Sequence, residues 1–202
     1  MNIQTKPRRQ AGFSLIELML VVMLLSIVVG ALFSQINRAQ VRYKAEDQKL
    51  DQTQQEREFI DQFTRDLHQS GYPAASMFGG ATGNQTAAGV IAFSSTDVQM
   101  EGDVDGDGVV DVVEYSYASG TITRTVKTKG SATATSSTEV QGVLTTDQNI
   151  FTAYDKNGNT TTDVTAMKTV RIILTTQSAG LDNDLHKSIQ VTMTGIARLV
   201  NQ

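Results

Sequence analysis

The chain contains no cysteine and only two histidines in its 202 residues. Without cysteine there is no disulfide framework and no thiol nucleophile. Disulfides are common but not obligatory outside the cytoplasm, so no compartment is excluded by this absence. His68 and His186 stand far apart, and neither has a second His or Cys nearby to form a metal set or an activated nucleophile. Both read as surface histidines. The body also lacks a basic cluster: 17 Lys and Arg stand against 21 Asp and Glu, a net charge of −4. An acidic body argues against nucleic acid as a partner. The glycines of MFGGATG (77–83) are not followed by Lys-Ser/Thr, so they form no phosphate cradle. No internal repeat is present. The residues spell out no catalytic site.

What the sequence does have is a long apolar run. From Phe13 to Ile36 the only ionisable side chain is Glu17. A helix of roughly 20 residues crosses a hydrocarbon core, so this run is long enough. A cleaved secretory signal would have an apolar region of about 7–15 residues closed by a small-residue site. Here the run is longer, and Ser34-Gln35-Ile36-Asn37-Arg38 has no A-x-A-like site, which predicts a retained membrane helix. Lys6, Arg8 and Arg9 precede it, placing the N-terminus in the cytoplasm and the body outside by the positive-inside rule. Glu17 is the anomaly. A carboxylate in a spanning helix costs on the order of 2–3 kcal/mol on insertion scales, and such residues are functional by default. The alternative is a charge shallow enough to reach water.

Between Ile36 and Gly71 there is no Pro or Gly, and good helix formers dominate. Leu50, Thr53, Arg57, Ile60, Phe63 or Thr64, and Leu67 recur at spacings of three and four, predicting one amphipathic stripe. Gly71-Tyr72-Pro73 is a strong stop. One helix is therefore expected from about Phe13 to Ser70, its first part (13–36) in the membrane and its second (37–70) packed at its far end on a core. Beyond Pro73 short alternating runs predict strands at Val90–Phe93, Val109–Tyr117, Thr121–Thr128, Val140–Leu144, Ile150–Tyr154, Val170–Thr176 and Ser188–Leu199. Tyr117 to Thr121 reads as a hairpin connection, with Tyr115, Tyr117 and Val113 on its core face. Residues 77–89 and 129–138 read as loops. Strands following one long helix imply an α+β class, with an antiparallel sheet on the helix and a β-rich domain over 71–202.

Asp103 to Glu114, DVDGDGVVDVVE, fits the loop pattern D-x-[DN]-x-[DN]-G-x5-E. Asp103, Asp105 and Asp107 take positions 1, 3 and 5, and Gly108 takes 6. The Val109 carbonyl, Asp111 and Glu114 take 7, 9 and 12. Ca²⁺ favours six to eight hard oxygens, which alternating carboxylates around a tight turn supply. The flanks read as strands rather than helices, so Glu114 is expected to diverge from the ion, leaving Asp111 or Glu101 to complete the shell. The alternative is an acidic turn without metal. In DKNGNTTTD, the residues Asp155, Asn157, Asn159, Thr161 and Asp163 give a fainter echo, which an Asn-Gly turn explains equally well.

The string KPRRQAGFSLIEL (6–18) resembles the class III signal of type IV prepilins: a short basic leader, Gly, Phe, and Glu at the fifth position. The resemblance implies a pilin fold, in which a long N-terminal helix packs on an antiparallel sheet. It also implies that prepilin peptidase cuts after Gly12, removing the leader 1–12, and N-methylates Phe13. Glu17 would meet the terminal amine of a neighbouring subunit during assembly. Two lone charges in lipid are each costly, so pairing them offsets that cost and fixes register.

Dispersed cues are similar to PilW/J-type minor pilins: EREFIDQFTRDLHQSGY, the DGDG loop before a Tyr-rich strand, IFTAYDKNG, and MKTVRIILTTQS before a final strand. The ending IARLVNQ departs from the expected Arg-Asn. Such subunits prime a type IV pilus and form its tip, with partners that include other major and minor pilins through the N-terminal helix, the inner-membrane assembly platform and membrane lipid. They pass from the inner membrane to the pilus surface. The rivals are a J-type pseudopilin of a type II secretion system and, in another class, an uncleaved membrane-anchored periplasmic enzyme or sensor.

Overall fold

The computed structural model describes residues 12–80, 83–144, 149–182 and 187–200. It divides into two compact units, Met1–Lys44 and Ala45–Gln202. In the first, the described residues are the N-terminal part of helix α1 (Leu15–Gln69) and the three residues before it. The sequence favours a helix here because Gly30 is its only glycine and it has no proline. Its 18-residue window of highest mean hydropathy, 2.8, has no buried residue. By length and composition, α1 can cross a membrane.

In the second unit α1 stops where the sequence demands. Gly71 adopts φ 80°, and its N–H donates to the Glu101 carbonyl, while the Tyr72 N–H returns to the Gln69 carbonyl. After a short 3-10 turn at Ala75–Phe78, eight strands follow. Five form an antiparallel meander in chain order: β1 (Gly89–Phe93), β2 (Asp97–Gly102), β3 (Asp111–Ala118), β4 (Thr121–Thr128) and β5 (Thr135–Gln141). Three form a second antiparallel sheet, β6 (Phe151–Tyr154), β7 (Thr169–Asp182) and β8 (Lys187–Arg198). The seam between them is pinned by the Phe151 N–H on the Ser95 carbonyl.

The two sheets and the C-terminal part of α1 share one core. Phe59, Phe63 and Leu67 are fully covered, as are Val113, Tyr115, Phe151, Ile172 and Leu174. Phe63 is the hub: its ring lies edge-on to Tyr115 at 5.1 Å and stacks on Phe151 at 5.3 Å, so one helix side chain touches both sheets. The pilin-like α+β layout expected from the sequence is the one observed.

Several expectations are corrected. There are two sheets rather than one. β2 (DVQMEG) was not expected, and β5 occupies part of 129–138, where a loop was predicted. The strand placed at Val140–Leu144 survives only in the last two residues of β5 and an isolated bridge from Val143 to Thr176. A four-residue turn of 3-10 helix enters the segment read as loop from Met77. The helix stripe is also turned. Leu50 and Arg57 are exposed, whereas Glu56, Phe59, Phe63, Asp66 and Leu67 are buried. An apolar-only count misses a face that includes two carboxylates with partners on the sheets. The hairpin at Tyr117–Thr121 is as expected, with Ser119 at φ 50° and Gly120 at φ 80°, the left-handed pair of a tight two-residue turn. Tyr115 and Val113 are core and Tyr117 packs against it.

Candidate functional site at the N-terminal segment and the acidic loop

Gly12, Phe13 and Ser14 precede α1 without regular structure, and Phe13 is 84% exposed. A Cβ built on Gly12 meets nothing within 4 Å, and its backbone is not left-handed. Among the described residues nothing therefore requires glycine at this position. Lys6, Arg8 and Arg9 lie outside the described residues, as does His186.

Glu17 falls in the first turn of α1, where its N–H donates to the Ser14 carbonyl at 3.0 Å. The positive end of the helix dipole favours a carboxylate there by about 0.3–1 kcal/mol. That is smaller than the roughly 2–3 kcal/mol cost of placing the group in lipid. Most of the cost remains, and a partner cation or shallow placement is needed to remove it. Around Glu17 every apolar side chain from Phe13 to Ile36 is exposed.

The acidic loop brings together Asp103, Asp105 and Asp107, which offer carboxylate oxygens all within 4.8 Å of one another. The loop is wound on its own amides. The two oxygens of Asp103 accept from the Gly106 and Gly108 N–H groups at 2.8 and 3.0 Å, and Asp105 and Asp107 each accept from the amide two residues on. Gly106 and Gly108 have φ 79° and 84°, which the tight winding requires and side chains resist. Asp111 is buried at the start of β3, and its carboxyl accepts a backbone hydrogen bond from Val104. Burial first, then the charges of Asp105, Asp107 and Asp103, raises its pKa above the ordinary value. The donor chemistry suits a hard cation, which would neutralise this crowding.

The other sequence-assigned ligands lie elsewhere. Glu114 is exposed on β3, paired with Gln99 and Thr125, and alternates to the face opposite Asp111 and Val113. Val109 is partly exposed and its N–H caps Asp107. Glu101 is committed to another contact: its carboxylate accepts from Lys129 Nζ at 2.7 Å and from the Ala88 N–H at 2.9 Å. The second Asx-rich stretch is a turn. Asp155 accepts from the Asn157 and Asn159 N–H groups, which holds its carboxyl below the usual range, and Gly158 is left-handed at φ 82°. Asp163 accepts instead from Thr165.

Two buried polar groupings were not anticipated. On α1, Asp66 receives Tyr115 Oη–H and Arg124 Nε–H at 2.7 Å each on Oδ2, and Gln62 Nε2 at 2.8 Å on Oδ1. Burial pulls the Arg124 pKa down, but the Asp66 carboxylate outweighs it and the net shift is upward. Burial, then the Asp66 charge, pushes the Tyr115 hydroxyl well above its usual range. Nearly three helical turns earlier, Glu56 is wholly buried and accepts from Thr176 Oγ1 at 2.6 Å. Its second oxygen has no partner among the described residues, and desolvation raises its pKa despite the hydroxyl. Sequence pattern signals neither, because each pairing joins residues distant in the chain.

Residues 7–33 match the family model of the prokaryotic N-terminal methylation motif. No curated protein matches the chain.

Proposed function

We propose, for a chain that carries a type IV pilin-like methylation signal, that it is a minor pilin subunit of a type IV pilus, helping prime assembly and form the tip. The observation that carries the reading is the coincidence of three features over one short stretch. The motif spans 7–33, the apolar side chains from Phe13 to Ile36 are uncovered, and among the described residues nothing packs where a Gly12 side chain would stand. A glycine the fold does not need suits a residue read by a peptidase. In this reading prepilin peptidase cleaves after Gly12 and methylates Phe13. Glu17 then pairs with the terminal amine of a neighbouring major or minor pilin as the chain leaves lipid through the inner-membrane platform. Its work is assembly rather than turnover. The N-terminus begins in the cytoplasm, the body in the periplasm, and the finished subunit at the pilus surface.

Mass spectrometry of the chain from its own membranes tests this. N-methyl-Phe13 at the mature N-terminus is expected; intact Met1–Gly12 in membranes containing prepilin peptidase overturns it. The methylation motif supports a J-type pseudopilin of a type II secretion system equally well, and deletion separates the two. Loss of pili marks the minor pilin, and loss of secreted substrate the pseudopilin. For the acidic loop the proposal is a Ca²⁺ of extracellular-grade affinity, about 10⁻⁴–10⁻³ M. Asp103, Asp105 and Asp107 would hold it with Asp111 beside them, and Glu114 would take no part.

A further inference from the structure

An open cleft of about 530 Å³ lies at the seam of the two sheets, walled by Phe93 and Ser95 on one side and by Thr152, Arg171 and Ile173 on the other. The turn after β6 closes it with Thr160, Thr161 and Thr162. Arg171 and Thr152 are direct partners across β6 and β7. Both alternate away from the core-facing Val170, Ile172, Phe151 and Ala153.

Arg171 differs from Arg124 and Lys129, which are half-buried as well. Arg124 is paired with Asp66 and Lys129 with Glu101, each at 2.7 Å. Among the described residues no carboxylate pairs with Arg171. Its guanidinium lies over the Tyr154 ring at 5.4 Å, and its Nε–H is buried without an acceptor. The ring holds the planar fork in place by cation–π attraction, and the side chain lines the cleft.

We infer that this cleft binds a carboxylate-bearing sugar unit of the uronic acid type, the carboxylate on Arg171 and the ring hydroxyls on the threonine rim. A rigid guanidinium fork matches a carboxylate in two-point geometry. Threonine and serine hydroxyls both donate and accept, as sugar hydroxyls require. Phe93 and Ile173 supply apolar surface for the C–H face of a pyranose. A doubly charged phosphate fits less well, because the cleft has one cation and the Thr161 N–H is already spent on the Ala153 carbonyl. The volume falls in the small-molecule range of about 300–1,000 Å³. The cleft is open, so the affinity is millimolar in scale. The inference is independent of where the chain assembles.

The test is ligand-observed NMR on the full chain in detergent micelles, titrating D-glucuronate, D-glucose, acetate and inorganic phosphate. Glucuronate should saturate, with glucose and acetate each at least about tenfold weaker, a difference of about 1.4 kcal/mol. Arg171→Gln should weaken glucuronate about tenfold or more. Thr152→Val, which keeps the shape and the strand pairing, should weaken it several-fold with an unchanged unfolding midpoint. Glucose binding as well as glucuronate, phosphate binding better, absence of saturation, or glucuronate binding unchanged in either variant would each overturn the inference.

Discussion

Replacing Asp66 by alanine should be among the most damaging single changes in the body, and its cost can be worked from the contacts. The carboxylate is 1% exposed and gathers three side-chain donors from α1, β3 and β4. Removing it strands the Arg124 guanidinium, 17% exposed, with only the Tyr115 hydroxyl at 3.1 Å. It also deprives that hydroxyl of its acceptor. Breaking a buried pair from one side costs about 3–5 kcal/mol; the residual exposure of Arg124 places Asp66→Ala near 3. Tyr115→Phe keeps the ring against Phe59 and Phe63 and loses the hydrogen bond to the Asp66 carboxylate, about 1.5–3 kcal/mol, together with the longer one from Arg124. The double variant Asp66→Leu with Arg124→Met removes both charges and should cost less than Asp66→Ala alone, because no buried ion is left unpaired. Denaturant titration of the detergent-solubilised chain, followed by tyrosine near-ultraviolet circular dichroism, reports all three. A cost below about 1 kcal/mol for Asp66→Ala, the value of a surface pair, would refute the reasoning. So would a double variant no more stable than Asp66→Ala.

Other expectations are narrower. Glu56 has a folded pKa raised by burial above the ordinary 4.5. Its contribution is therefore fully present below that value and is lost as pH rises through the raised one. Glu56→Gln should flatten this fall and raise the neutral-pH unfolding midpoint; a profile that keeps its slope in the variant assigns the dependence elsewhere. Gly102→Ala places a Cβ 2.6 Å from the Gln69 carbonyl oxygen, a backbone atom that no rotamer change can move. A cost of about 1–3 kcal/mol is expected, with faster amide exchange at Ser70 and Gly71. Glu17→Ala should leave insertion intact or improved while reducing recovery in sheared filaments; normal incorporation removes Glu17 from the assembly step. Asp103→Ala with Asp105→Ala should abolish any rise in unfolding midpoint in millimolar Ca²⁺, and no rise in the parent chain would mean that the loop is only a turn.

Local features of the fold were readable in the sequence and cooperative ones were not. The helix, its stop at Gly71 and the turn at Ser119-Gly120 depend on residues adjacent in the chain, so composition alone predicts them. β5 (TSSTEVQ) has five exposed positions and one half-buried, and lies at the edge of its sheet beside β4. Its strand character comes from that pairing, which no apolar alternation announces. The helix stripe was set wrongly for a related reason: Glu56 and Asp66 are buried because Thr176 and Arg124 meet them, more than fifty residues away. The site divides the same way. The methylation motif over residues 7–33 was legible because it is contiguous, and so was the crowding of Asp103, Asp105 and Asp107. The cleft around Arg171 was not, since Ser95, Thr152 and Thr160 come together only through the sheet seam.

The uncovered start of α1 restricts the order in which events can happen to this molecule. Among the described residues, seventeen large apolar side chains from Phe13 to Ile36 are exposed. At about 1.5–3 kcal/mol each, exposing them together to water would cost on the order of 30 kcal/mol, well beyond the stability of a typical domain. No free aqueous monomer can therefore serve as a waypoint between one resting place and the next. In the assembly proposed above, lipid is exchanged directly for neighbouring subunits.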